Sequence, residues 1–186
     1  MPTGVALRDV RQQLFDAAER VLLRDGPGAL TSRAVTAEAG CAKGVLHRHF
    51  DDFDDFLAAL VRRRVDGVEG WGATMVSTAG SGVVAENIAD VLLLALDPVG
   101  LGLTSLIIAR DGLRGRLRNE KGLPLLAETT AVLAAYLVAE QQTGRVPDEA
   151  DVETLALTLV GAAHLVLADR EGTSPEVHDL VAAILR

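Results

Sequence analysis

Basic and hydrogen-bonding side chains are concentrated in one short segment near the N-terminus. Lys43, His47, Arg48 and His49 fall within seven residues of one another. Cations and imidazoles of this kind can bind phosphate oxygens and base edges, the groups that nucleic acids present. The two histidines are two positions apart, which puts them on different faces of a helix and makes them a poor metal-binding pair. We therefore expect either a nucleic-acid contact or an ordinary solvated helix face.

Short predicted helices hold these side chains. An amphipathic helix is predicted over 8–25, and Thr31 is expected to cap a helix over 32–39. Gly40 then allows a tight turn into another short helix over 42–49. Two short helices joined by a glycine-containing turn are typical of a helix-turn-helix, whose second helix lies in the major groove of DNA.

The rest of the chain is also predicted to be helical. Residues 112–122 contain three arginines, a lysine and three glycines, and are expected to form a basic loop with about one turn of helix. Asp148 and Ser174 are expected to cap helices. Hydrophobic periodicity predicts helices over 52–77, 83–96, 100–111, 123–142, 149–168 and from Pro175 to the C-terminus. The sequence therefore predicts an all-α fold of nine helices.

Composition narrows the classes of protein to which the chain can belong. Of the 186 residues, 49% are hydrophobic but only 3% are aromatic, which favours a helical core of Leu, Val and Ala. The net charge is −8, yet residues 1–50 carry seven basic and five acidic side chains, so the acidic excess lies beyond them. No signal peptide or membrane span is evident, and a soluble cytoplasmic protein is expected.

No catalytic or cofactor motif is visible. The sequence shows no Ser/His/Asp spacing, phosphate-binding glycine loop or paired-carboxylate motif. The single cysteine, Cys41, excludes an internal disulfide and is expected to pack as a small apolar residue. We therefore expect a protein that is not an enzyme and that has no cofactor and no metal site.

The segment 14–57 resembles the N-terminal part of the TetR family of transcriptional regulators. The resemblance implies a helix-turn-helix DNA-binding domain over 1–51 and a helical ligand-binding and dimerisation domain over 52–186. It also implies a homodimer that binds a palindromic double-stranded operator and is released from it by a small-molecule effector. The residues that carry it are Ala17-Ala18, Gly26, Leu30-Thr31, Val35, Glu38-Ala39-Gly40, Lys43-Gly44, Leu46, His49-Phe50 and Leu57.

The same resemblance implies which residues contact DNA. In the family, the short second helix enters the major groove. Base contacts are then expected from Lys43, Gly44, Val45 and His47. Phosphate or nearby base contacts are expected from Thr31, Ser32, Arg33, Arg48 and His49.

Three positions depart from the family pattern. Ala42 stands where the family commonly has a Ser or Thr that caps the second helix, and Ala cannot cap. His47 stands where Tyr is usual, and the four carboxylates of Asp51–Asp55 stand where a basic residue is common. Ala42 and the Asp cluster motivate an alternative to a ligand-responsive repressor, namely a helical small-molecule-binding protein with weak or lost DNA recognition.

Apolar stripes on the last two predicted helices favour a dimer interface. Each stripe repeats at helical spacing, and two such helices with their symmetry mates can form a four-helix contact. The predicted interface residues are Leu155, Leu159, Ala162, Ala163, Val166, Val177, Leu180, Val181 and Ile184.

The larger or polar side chains of the middle helices are candidate effector contacts. An aliphatic surround favours a largely apolar effector with one or two polar anchors. Arg110 follows a nine-residue apolar run and could bind a carboxylate. Ordinary core packing or solvent exposure is the alternative for each of the candidates, which are Trp71, Met75, Asn87, Thr104, Arg110, Thr129 and Tyr136.

Overall fold

Helices account for nearly all of the regular structure in the computed structural model, which describes residues 7–118, 122–169 and 175–186. No strand occurs among these residues, so the predicted all-α fold is confirmed. A short 3₁₀ turn, Pro27–Ala29, follows the first helix. The α-helices are α1 Leu7–Asp25, α2 Ser32–Glu38, α3 Gly44–His49, α4 Phe53–Ser77, α5 Val84–Ala95, α6 Pro98–Ala109, α7 Asp111–Arg116, α8 Pro124–Gln142, α9 Val152–Ala168 and α10 Val177–Ile184.

Three local expectations differ from the structure. The expected basic loop contains a distinct helix, α7, whose last turn carries Arg114 and Arg116, the charge that a helix C-terminus favours. Helix α9 is capped by Asp151, which accepts from the Thr154 amide at 3.1 Å, and not by Asp148. Helix α10 begins at Val177, beyond Pro175, and the expected cap Ser174 lies outside the described residues.

The described chain divides into two compact units. Residues 7–62 and 102–118 form the first, and residues 63–101, 122–169 and 175–186 form the second. The boundary predicted between residues 51 and 52 separates the motif from the rest of the chain. The compact unit that contains the motif is larger, because a segment from the middle of the chain packs within it.

All four phenylalanines of the chain lie in the first unit and contact one another. The Phe56 ring is central, with centroids 5.6 Å from Phe15, 5.1 Å from Phe50 and 5.7 Å from Phe53. Edge-to-face and offset pairs at these distances are favourable beyond the area that they bury. This cluster joins the end of α3 to α1 and to the start of α4.

The second unit has an aliphatic core formed by α4, α5, α8, α9 and α10. Ile88, Leu92, Leu133, Leu159 and Val181 are fully buried in it. No single described helix is long and apolar enough to cross a membrane, although α5 and α6 taken together, with the break between them, reach that length and composition.

A buried carboxylate organises one end of the second unit. Glu140 is fully buried and accepts hydrogen bonds from the Gly80 amide and the Thr143 hydroxyl. Tyr136 also hydrogen-bonds to it, and Arg145 lies 3.5 Å away. Burial alone would raise the pKa of Glu140, but these hydrogen bonds and the Arg145 charge outweigh it and hold the pKa below its ordinary value.

Candidate nucleic-acid interface

Helices α2 and α3 are joined by a turn whose geometry is fixed by local hydrogen bonds. The Thr31 hydroxyl accepts from the Ala34 amide at 3.1 Å, which confirms the predicted cap of α2. Gly40 has φ +66°, a left-handed conformation that favours glycine. The Cys41 amide then donates to the Thr36 carbonyl at 3.0 Å and closes the turn. The sequence-predicted helix-turn-helix is therefore present.

One face of α3 is open to solvent. Lys43, Gly44, His47 and Arg48 are exposed, and their spacing puts them side by side on the helix. Leu46 is fully buried on the opposite side. The exposed face thus combines three side chains that can carry positive charge with a glycine that adds no bulk.

The remaining predicted DNA contacts surround this face. Thr31 and Arg33 at the start of α2 are exposed, and Ser32 is half-buried. Val45 and His49 on α3 are also half-buried. All nine predicted residues therefore have some accessible surface, although their contact with DNA stays a prediction.

Among the described residues, no side chain caps the N-terminus of α3. The helix begins at Gly44 with Lys43 at the cap position, and Lys43 already has helical backbone angles. The Val45 amide donates to the Ala42 carbonyl at 2.9 Å, so the turn starts one residue before the helix itself. The cap residue therefore offers no side-chain acceptor to the amides in the first turn of α3.

Arg11 on α1 holds the other end of α3. Its guanidinium donates to the His49 carbonyl at 3.2 Å and lies 4.3 Å from the centroid of the Phe50 ring. A cation at a helix C-terminus is favourable, and so is a cation over an aromatic face. This positioning role was not predicted, because the two partners are 38 positions apart in sequence and no local pattern joins them.

The acidic start of α4 is paired with arginines from the middle of the chain. Arg110 contacts Asp54 at 2.6 Å, and Arg116 pairs with Asp52 and lies 3.8 Å from Asp55. Hydrogen bonding from the Asp55 amide, followed by the Arg116 contact, lowers the pKa of Asp52 below its ordinary value. These pairs reduce the repulsion that the carboxylates would exert on a nearby phosphate.

Comparison with known proteins agrees with this geometry. The model of a family described as bacterial regulatory proteins, tetR family, matches residues 14–60. A TetR-family transcriptional regulator from Rhodococcus sp. has a similar structure, with a TM-score of 0.68 over 96% of both chains at 18% identity. Residues 14–60 are therefore similar to the N-terminal part of the tetR family, and the fold of the chain is similar to that of a TetR-family regulator.

Two further solved structures share the fold of this chain. The multidrug binding protein EbrR, complexed with imidazole, is 23% identical, with a TM-score of 0.59 over 95% of this chain and 94% of that one. The regulator FadR from Bacillus subtilis, in complex with stearoyl-CoA, is 20% identical, with a TM-score of 0.65 over 94% and 95% of the two chains. No curated protein sequence matched the chain.

The predicted effector residues do not form one group. Trp71, Met75, Asn87, Thr129 and Tyr136 lie in the second unit, whereas Thr104 and Arg110 lie in the first, where Arg110 binds Asp54. Asn87 donates to the Tyr136 hydroxyl at 2.8 Å, and Thr129 donates to the Leu125 carbonyl at 2.7 Å. The structure thus gives most of these polar groups a partner inside the protein.

The predicted interface residues divide between the core and the surface of the second unit. Leu159, Ala163, Val177 and Val181 are buried within a single chain. Leu155, Ala162, Val166, Leu180 and Ile184 are half-buried. An apolar stripe at helical spacing indicates burial but does not say whether the cover comes from the same chain. On the outward face of α9, Leu157 is 63% exposed and Leu165 is 74% exposed.

Proposed function

We propose that the chain is a ligand-responsive transcriptional repressor that binds a palindromic operator as a homodimer and is released by a small molecule. The observation that carries this proposal is the open face of α3, with Lys43, His47 and Arg48 exposed on a helix-turn-helix. The proposed base contacts are Lys43, Gly44, Val45 and His47, and the proposed phosphate contacts surround them. We assign no catalytic role to any residue.

The different environments of the two ends of α3 support a role for this helix in docking. Arg11 and the phenylalanine cluster fix its C-terminal end, so the exposed face is presented in one orientation. Its uncapped N-terminal amides are available to a phosphate oxygen. The ion pairs of Asp52 and Asp54 reduce the repulsion between these carboxylates and an approaching phosphate.

A two-fold operator requires two copies of the chain, because half-sites on one face of DNA are about 34 Å apart. Leu157 and Leu165 project from α9, and Gly161 between them has open space at its Cβ position. Exposed leucines beside a small residue allow two helices to approach closely around a symmetry axis. We therefore propose that α9, with the accessible side of α10, forms the dimer contact.

Ligand binding is supported by two solved structures of the same fold. EbrR was solved with imidazole and FadR from Bacillus subtilis with stearoyl-CoA. For this chain we propose an effector that binds in the second unit and weakens operator binding, in a protein that works in the cytoplasm.

The test is a titration of the purified protein with duplex DNA from upstream of its own gene, at several salt concentrations. We expect saturable binding of one dimer per site, with an affinity that falls steeply as salt rises. A scrambled duplex of the same length is the control. Equal binding of both duplexes, or binding that does not depend on salt, would contradict sequence-specific regulation.

The alternative function is a small-molecule-binding protein with weak or lost DNA recognition. The uncapped start of α3 is the observation that favours it, because an unsupported recognition helix frays more readily. Under this alternative the protein would bind ligands and dimerise but would show only salt-sensitive, non-specific affinity for any duplex.

A further inference from the structure

An open groove runs between α4 and α8 in the second unit. Its cavity volume is about 610 Å³, within the range of small-molecule sites. The helices approach closely at one point, where a Cβ on Gly72 would lie 2.5 Å from a Val132 methyl carbon. The walls are made of small apolar residues: Gly72, Ala73 and Val76 from α4, and Ala131, Val132 and Ala135 from α8.

Two carboxylates lie at one end of this groove. Glu69 precedes Gly72 by three positions on α4, and Glu128 precedes Val132 by four positions on α8. Gly72 lies against Val132, and the charge of Glu69 acts on Glu128. The groove-lining residues of α4 and α8 therefore follow one another in the same direction along the groove. Both acidic groups therefore face the same end of the apolar walls.

The two carboxylates repel one another. Burial, followed by the charge of Glu69, raises the pKa of Glu128 above its ordinary value. Nothing that acts on this carboxyl among the described residues favours its charged form. A positive charge placed between the two groups would relieve both effects.

We propose that the groove binds an apolar organic cation, with its hydrocarbon surface against the small residues and its charge beside Glu69 and Glu128. The assignment rests on the proposed function in one respect, since it makes this cation the effector. It reverses the anionic effector that Arg110 suggested, because Arg110 is paired with Asp54 in the first unit.

The lining distinguishes this ligand class from others. An anion would meet two negative charges. A metal ion prefers at least three donor groups, and the described residues contain no group of three or more His, Cys, Asp or Glu side chains placed to hold one. A neutral apolar molecule would fit the walls but would leave the repulsion between the carboxylates in place.

A pair of probes with the same shape and opposite charge tests the proposal. Tetraphenylphosphonium is an apolar cation and tetraphenylborate is the matching anion. Calorimetric titration of the full-length protein should show tetraphenylphosphonium binding at least roughly tenfold more tightly than tetraphenylborate. In the double variant Glu69→Gln/Glu128→Gln, the cation should lose roughly tenfold in affinity, and the preference between the probes should disappear.

Two further variants locate the effect. Ala131→Phe fills the groove from an exposed position of α8 and should abolish binding of the cation while the helical circular dichroism is unchanged. Glu149→Gln removes an exposed carboxylate of the same unit outside the groove and should leave both affinities unaltered. Cation binding that survives Ala131→Phe, or that is insensitive to the double variant, would overturn the assignment.

Operator titration on the same samples separates this proposal from the proposed function. Tetraphenylphosphonium should weaken operator binding by the wild type and have little effect on the double variant. If the protein binds its operator but not the cation, the proposed cation site is wrong and the proposed repressor function is retained. If the cation binds through Glu69 and Glu128 but no operator is recognised, the cation site is retained and the repressor function is wrong.

Discussion

The two compact units are stabilised by different kinds of interaction. The first is held by four phenylalanine rings, a Thr31 cap and arginine–carboxylate pairs that connect distant parts of the sequence. The second has an aliphatic core, and its main polar centre is one buried carboxylate with several donors. Rings, caps and ion pairs are directional, so they hold a helix in one orientation. Aliphatic packing tolerates shape changes more readily, which suits the ligand-binding role that we propose for the second unit.

The largest expected effect is a substitution in the second unit that abolishes DNA binding by an intact first unit. Leu165→Glu adds a charge to a side chain that is 74% exposed in one chain, so the subunit should fold normally. At a two-fold contact it would bury two like charges. We expect monomers by sedimentation and a loss of operator affinity of roughly 100-fold or more, since each half-site alone contributes little.

Val83→Glu is the matched control, because it adds the same charge at another exposed apolar position of the second unit. It should remain dimeric and bind DNA normally. A dimeric Leu165→Glu variant would show that the contact lies elsewhere. Leu159→Glu is unsuitable for this test, since Leu159 is fully buried in its own chain and the charge would unfold the unit.

The stability of the second unit should depend on pH through its buried carboxylate, Glu140. Glu140→Gln keeps the shape of the side chain but loses its charge, and should reduce the free energy of unfolding at pH 7 by about 1–3 kcal/mol. Because the folded state lowers the pKa of Glu140, its contribution is complete above the ordinary value of 4.5 and is lost as pH falls through the folded pKa.

Urea unfolding of the wild type and Glu140→Gln at pH 7 and at low pH measures this contribution. The difference between them should narrow as the solution is acidified below the ordinary glutamate pKa. Glu149→Gln, at an exposed position, should differ little from the wild type at either pH. A constant difference across this range would mean that the ionised carboxylate is not what stabilises the unit.

Removal of one cation from the first unit should affect DNA binding without affecting stability. Lys43→Ala should weaken operator binding by roughly tenfold and reduce the slope of log affinity against log salt by about 1, as expected when one phosphate contact is lost. Arg186→Ala removes an exposed cation from the second unit and should leave the slope unchanged. An unaltered slope in Lys43→Ala would exclude this side chain from phosphate contact.

The smallest expected effect comes from Gly44→Ala, which should change helix stability and operator binding in opposite directions. A Cβ added at Gly44 meets no atom within 4 Å. Gly44→Ala should therefore stabilise α3 by up to about 1 kcal/mol, yet weaken operator binding by a few-fold because the methyl group holds the helix away from the bases. Thermal melts and DNA titration would reveal the two opposite effects. A variant that is both more stable and tighter in binding would mean that this face does not approach DNA.

The sequence was most informative where structure depends on neighbouring residues. The Thr31 cap, the Gly40 turn and the exposed face of α3 follow from local spacing, and the structure has each of them. Contacts between distant positions were not predictable. Arg110 and Asp54 are 56 positions apart, and their pairing depends on the packing of the whole first unit.

The second unit shows a different limit of sequence analysis. Its helices follow from hydrophobic periodicity, but periodicity does not identify the partner of an apolar face. Leu159 was predicted at an interface and lies in the core, whereas Leu165 was not predicted and projects into solvent. The Glu69 and Glu128 stripes lie on helices that are separated in sequence, and only their packing brings the two carboxylates to one groove.

The first unit is built from two separate segments of the chain, and this determines how its DNA-binding motif can be exchanged for another. Its core contains Leu103, Ile107 and Leu113, all nearly or fully buried, from a segment that follows the motif by some fifty positions. A chimera that exchanges only the first 51 residues would keep the Arg110 and Arg116 ion pairs but would replace residues against which the retained segments pack, such as Leu22 beside Gly102, and Phe15 and Phe50 around Phe56. Exchange of DNA specificity should therefore succeed by grafting the exposed face of α3 or by transferring both segments together.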